Sequence, residues 1–339
     1  MEVKRRTAEF LVEKLSSVSE RTRNDALCEL RLISKHDAES RTLIAGAGAI
    51  PHLAETLYSS SHEVQENAAA TLLNISISSK DSLMSTRGLL DAFSHILRSH
   101  SSTSPAAVQS SAAALYSLLT VDSNRRIIGA KRDIVYALID IIRNPSSPPR
   151  SIKDALGALF GVSLYPLNRS TMIHLGAAGP LFGLILKDDR VGIVEDATGL
   201  ILKDDRVGIV EDATAVVAQI AGCEESEEAF RNVSGISVLV DLLDMSTGSN
   251  MRIKENAVSA LLNLARCCRE GRVMEHVRRM CLGVVDGILN VAEDGTDKGK
   301  SKAAALLDLI NTKTLSSCSG GSPLRDSQRR YNYMLHQSS

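Results

Sequence analysis

Two stretches of the chain carry asparagines seven residues apart: Asn67 and Asn74 in VQENAAATLLNIS (64–76), Asn256 and Asn263 in IKENAVSALLNLA (253–265). Seven residues make two helical turns, so each pair stands on one face of a helix. A carboxamide donates and accepts, and a row of them can hold the backbone of an extended chain without dictating its side chains. Weaker echoes of the same stretch are ALCELRLIS (26–34), SSAAALYSLL (110–119), KDALGALFGVS (153–163), EDATAVVAQIA (211–221) and KAAALLDLI (302–310). Aligned on the second Asn, they add Ser110, Ser117, Asp154, Asp212, Gln219 and Asp308 to Asn67, Asn74, Asn256 and Asn263 as candidate protein-binding residues.

Other chemistry is sparse. The eight His (36, 52, 62, 95, 100, 174, 276, 336) include no HExxH, and the six Cys (28, 223, 267, 268, 281, 318) have no CxxC or CxxH spacing. Neither set suggests a metal site, and the cysteines read as small apolar residues of a reducing compartment. GAGAIP (46–51) follows no strand, and its Pro opens a helix, so it is a turn rather than a phosphate loop. No GxSxG or P-loop is present. We expect no catalytic residue, no cofactor and no metal. The sequons at Asn74, Asn168 and Asn232 are expected to be chance matches.

The candidate residues need helices to present them, and the chain reads as helices throughout. Apolar residues recur at i, i+3/i+4 and i+7, with no alternating strand pattern. Aromatics are only 3% and Trp is absent, so Leu, Ile, Val and Ala must build the core, a palette suited to closely stacked helices. Successive aligned positions (Leu32, Asn74, Ser117, Gly161, Gln219, Asn263, Asp308) are 42, 43, 44, 58, 44 and 45 residues apart. The one long step contains GLILKDDRVGIVEDAT twice in succession (183–214), and without that sixteen-residue copy it matches the others. Three helices per period, repeated about seven times, predict an all-α, right-handed α-solenoid with a tandem insertion in its fifth repeat. The expected repeats are 7–36, 37–77, 78–121, 122–165, 166–222, 223–266 and 267–312, followed by a disordered Ser/Gly-rich tail over 313–339.

Sixteen extra residues in one helix would turn its apolar stripe by roughly 160°. We therefore expect the copy to form a supernumerary helix over 189–202, with Lys203-Asp204-Asp205 as the turn before a third helix at 205–221.

The GAIP turn and the ENA…LLN helices, the second trailing into ARC, resemble armadillo repeats, most of all those of plant U-box ubiquitin ligases, from about residue 7 to 312. The resemblance implies that third helices line a concave groove that selects target proteins, while an upstream U-box docks a ubiquitin-conjugating enzyme. The Cys-Pro-Ile, Gly-x-Thr-Tyr and Ile-x-x-Trp features of a U-box do not occur here. The chain is accordingly expected to be a truncated, alternatively started or degenerate member, inactive as a ligase on its own. Its ubiquitin-conjugating partner would require a U-box supplied from elsewhere. Nuclear-import adaptors of this fold carry Trp four residues before the groove Asn; here Ala70, Ala113, Gly157, Ala215, Ser259 and Ala304 stand there, which disfavours that function. The alternative is an armadillo scaffold unconnected with ubiquitin.

Charge and hydropathy narrow the partners. With 39 Lys plus Arg against 40 Asp plus Glu the net charge is −1, which gives no reason to expect nucleic acid. No stretch is apolar enough for a membrane span or a signal peptide, and a cytoplasmic or nuclear location is expected.

Overall fold

The computed structural model describes residues 2–186, 199–267 and 282–312. Among the described residues there are nineteen α-helices, one short 3-10 helix and no strand. The chain divides into two compact units, Met1–Thr171 and Met172–Ser339.

The first unit holds α1 (Glu2–Leu15) and α2 (Glu20–His36), then three helix triplets. These are α3 (Ala38–Gly46), α4 (Ala49–Thr56) and α5 (His62–Ser78); α6 (Lys80–Ser85), α7 (Leu89–Arg98) and α8 (Pro105–Leu119); and α9 (Asp122–Gly129), α10 (Arg132–Arg143) and α11 (Pro149–Ser163). Helix α12 (Pro166–His174) straddles the boundary. The second unit continues with α13 (Ala178–Leu186), α14 (Gly199–Ile220), α15 (Ser226–Asn232), α16 (Gly235–Asp241), α17 (Met251–Cys267), α18 (Leu282–Asp294) and α19 (Asp297–Thr312).

Local chemistry starts and stops these helices. Ser19 caps α2 by accepting the Thr22 N–H at 3.3 Å, and Asp37 caps α3 by accepting the Glu39 N–H at 3.1 Å. Ser104 caps α8, whose first residue is Pro105, where a missing N–H costs nothing. The turn from first to second helix needs a left-handed residue, and Gly48 (φ 85°), Gly88 (φ 84°) and Gly176 (φ 79°) supply it. Before α16 the same turn falls on Ser234 (φ 56°), among the described residues the one non-glycine with positive φ.

Within the first unit, α2, α5, α8 and α11 lie side by side as one layer, and α4, α7 and α10 each pack against the third helix of their own triplet. Leu53, Leu72, Phe93, Leu115, Leu138 and Leu156 are fully buried between the layers. Each such side chain contributes about 1.5–3 kcal/mol. Ala68, Ala112 and Ala155, also fully buried, let neighbouring helices approach closely. Gly161 goes further: a Cβ there would sit 2.7 Å from Leu119 Cβ, so α8 and α11 could not tolerate Ala without moving. In the second unit α14, α17 and α19 form the corresponding layer. Phe182 meets Phe230 edge-to-face at 5.0 Å in its core. Each unit is thus a stack of armadillo-type helix triplets, an α-solenoid.

One expectation about the tandem copy fails. The Lys203-Asp204-Asp205 turn is absent, because α14 runs unbroken from Gly199 to Ile220. Asp caps a helix only where the preceding chain has already left helical geometry, and Leu200-Ile201-Leu202 are ready helix formers. Residues 189–198 of the expected extra helix (189–202) lie outside the described residues, as does the tail from 313.

Candidate functional site

Within each unit the third helices pack side by side, and those with a described second helix bury a face against it. What remains in each unit is a strip along its own layer, and the candidate residues fall on or beside these strips.

The asparagines hold the layer together before they hold anything else. Asn74 donates from Nδ2 to Ser34 Oγ at 3.0 Å, and Ser34 Oγ already donates to Arg31 O, which fixes the direction of the bond. Asn263 donates to Ala218 O at 2.8 Å; Asn256 donates to Glu211 O at 3.2 Å and to Thr214 Oγ1 at 3.0 Å. Ser117 donates from Oγ to Ser76 O at 3.0 Å. Asn67 is buried, accepting from Arg31 Nη1 at 2.6 Å and donating to Cys28 Sγ at 3.2 Å. Each bond joins one third helix to the one before it. The carboxamide oxygens of Asn74, Asn256 and Asn263 find no hydrogen-bond donor among the described residues. Half of each amide is therefore structural, and the other half is an acceptor left open.

The remaining candidates differ. Asp154 accepts from the Gln109 side chain, while its Oδ2 is buried without a partner. Burial pushes its carboxyl above the ordinary 3.8, and nearby Arg150 and the Gln109 bond offset part of that rise. Ser110 is half-buried. Asp212 and Gln219 are half-buried and Asp308 exposed, and all three make intramolecular contacts of their own. The structure therefore spreads the ten positions over two units rather than gathering them into one pocket.

Two features of the strip escaped the reading by asparagines. One residue before each aligned position in the first unit stand Leu73, Tyr116 and Phe160, an apolar row on the open side. Tyr116 is 46% exposed, and its ring lies against Gly157, where a Cβ would be 3.4 Å from Tyr116 Cγ. Eight residues before the aligned position the series is Glu66, Gln109, Lys153. Both rows are visible in the sequence once all seven helical phases are compared.

The ends of the third helices use a second repeated device. Asn124 of α9 donates to Leu118 O at 3.0 Å, closing the C-terminus of α8. Asn168 of α12 does the same for α11, donating to Val162 O at 2.9 Å, and also reaches Arg125 O at 2.9 Å. Arg125 and Arg169 donate from Nε to Leu119 O and Ser163 O. Asn168 is buried in this role, which removes its sequon from contention as a glycan site.

Among the described residues no three His, Cys, Asp or Glu side chains gather to hold a metal ion, and no helix is long and apolar enough to cross a membrane. Cys28, Cys223 and Cys267 carry free thiols. Burial raises the Cys223 thiol above its ordinary value, the opposite of an activated nucleophile.

The model of the plant U-box protein ARM repeat region matches residues 8–320. The chain belongs to that family. U-box domain-containing protein 17 of Arabidopsis thaliana is 30% identical over 321 residues, which cover 90% of this chain and 38% of that protein. U-box domain-containing protein 16 of the same plant is 36% identical over 191 residues, covering 55% of this chain and 27% of that protein. The ARM repeat chain thus spans well under half the length of these curated relatives. Among solved structures, the crystal structure of an engineered protein superimposes with a TM-score of 0.61 at 23% identity, covering 77% of this chain and 97% of that one. That likeness bears on the fold.

Proposed function

We propose that this ARM repeat chain is a target-recognition module of the ubiquitination pathway, docking target proteins on the open strip of its third helices. It would act in the cytoplasm, the nucleus or both. The first unit's strip carries the reading: it sets the half-free carboxamide of Asn74 beside the open apolar side chains of Leu73, Tyr116 and Phe160 on one helix layer. Docking is then the chain's contribution, and transfer of ubiquitin depends on a U-box that brings the conjugating enzyme.

The test joins the chain to the U-box of U-box domain-containing protein 17. The 339 residues alone, given ubiquitin, activating enzyme and conjugating enzyme, are expected to form no ubiquitin conjugates. The fusion is expected to modify proteins that the chain retains, and to lose that capacity when Asn74 and Asn263 are both replaced by Ala. A fusion that modifies itself but none of the retained proteins would overturn the ubiquitin reading in favour of a scaffold.

A further inference from the structure

The strip is not uniform along the first unit, and its chemistry restricts what can lie there. Beside the apolar row of Leu73, Tyr116 and Phe160, the strip's outer edge changes sign from one helix to the next. Helix α5 presents Glu63 and Glu66, α8 presents Ala106 and Gln109, and α11 presents Arg150 and Lys153. Glu63 and Arg150 are exposed, and Arg150 also lies near enough to Asp154 to favour its charged form. Glu66 accepts from Ser104, the cap of α8. Negative, neutral and positive edges therefore follow one another over two helix-to-helix steps, about 18 Å at ordinary packing distances.

Tyr116, the exposed aromatic of the row, is held for contact. Tyr116 lies against Gly157 yet stays 46% exposed, and on the neighbouring helix Ile77, one turn beyond Asn74, is 55% exposed. The small residues Ala70 and Ala113 keep the strip shallow, so an occupant's backbone can come close. Asn74 Oδ1 offers an acceptor there. A helix satisfies its own N–H groups, whereas an extended chain brings N–H groups that need acceptors.

We propose that the first unit takes an extended target segment of roughly six residues, bulky and apolar in the middle, with its basic end over α5 and its acidic end over α11. This rests on the docking reading above and names the class of target that fits it. A uniformly basic or uniformly acidic segment meets a like charge at one end and leaves the apolar row uncovered.

The test is display selection of random twelve-residue peptides on the full chain. Retained peptides are expected to share spaced Leu, Ile, Phe or Tyr residues between opposite charges. Tyr116→Ser should weaken them about tenfold, and Tyr116→Phe should restore binding. The double variant Glu63→Arg/Arg150→Glu, at two exposed positions, should weaken them several-fold and prefer peptides with the end charges exchanged. Peptides of a single charge sign, or indifference to these variants with sensitivity to Asn256→Ala/Asn263→Ala, would overturn this proposal while leaving docking on the third helices intact. Binding indifferent to both sets of variants would overturn the docking reading itself.

Discussion

Replacing Asn168 by Ala tests how the stack is joined. The side chain is 6% exposed, and its single Nδ2 group bridges α12 to Val162 O at the end of α11 and to Arg125 O in α9. Gly129 makes the room: a Cβ at that position would lie 2.1 Å from Asn168 Nδ2. Two hydrogen bonds are lost in Asn168→Ala. Val162 O keeps a bond from the Tyr165 N–H, so it is weakened rather than orphaned. At about 1 kcal/mol for each lost bond, with a little more for the vacated volume, the cost is about 2–3 kcal/mol. For a unit of this size that corresponds to a fall of about 4–12 °C in its transition. The internal control is Asn124→Ala, where one such bond to Leu118 O disappears and about half the loss is expected. Asn168→Asp should cost more than Ala at neutral pH, because it sets an anion against two carbonyl oxygens. Scanning calorimetry and urea titration of the full chain supply the measurements. Equal effects of the two Ala variants, or a neutral Asn168→Ala, would refute the reasoning.

Three further outcomes follow from the geometry. Ser234→Gly should raise stability by about 0.5–1 kcal/mol in urea titrations, since a left-handed serine is relieved and part of the gain is returned to the unfolded chain. Asp154→Asn should stabilise the chain at pH 7; because the folded carboxyl titrates above 3.8, the penalty arises as pH climbs past that value, and the difference between variant and parent should vanish in more acid solution. Asp37 behaves oppositely: Lys4 at 2.7 Å, Ser40 at 2.8 Å and the Glu39 N–H lower its carboxyl from 3.8 to about 2. Its contribution is present above the ordinary value and fades between about pH 4 and 2, so a carboxyl NMR titration should find its midpoint near 2 and Asp37→Asn should flatten that acid limb.

The all-α repeat was legible because its signal is local. A third helix announces itself by Ala and Leu at helical spacing, and a recurrence of 42–45 residues survives the sixteen-residue copy. The breaks inside the copy were not legible in the same way. Asp204 and Asp205 suggested a cap, yet the same two residues continue a helix when Leu200 to Leu202 enter it already coiled. The asparagines pose a different difficulty. Their spacing places them on one face, but the partner of Asn74 is Ser34 and that of Asn263 is Ala218, some forty residues away. No local pattern says which half of an amide a neighbouring helix will take. The apolar row lies in a different helical phase from both the Asn positions and the small residues four before them, so neither pattern points to it. Leu73, Tyr116 and Phe160 sit three residues later, in an equally open phase of the helix.

Two tyrosines of equal exposure allow a direct trial of the docking surface. Tyr116 on α8 is 46% exposed and Tyr136 on α10 is 45% exposed, so a tyrosine-modifying reagent should label both in the free chain. Labelling is then repeated with a retained target protein bound, and the two sites are read by peptide mass spectrometry. Protection of Tyr116 with Tyr136 still reactive is the expected result. Protection of Tyr136 with Tyr116 unchanged would place the target on the second helices and contradict the account.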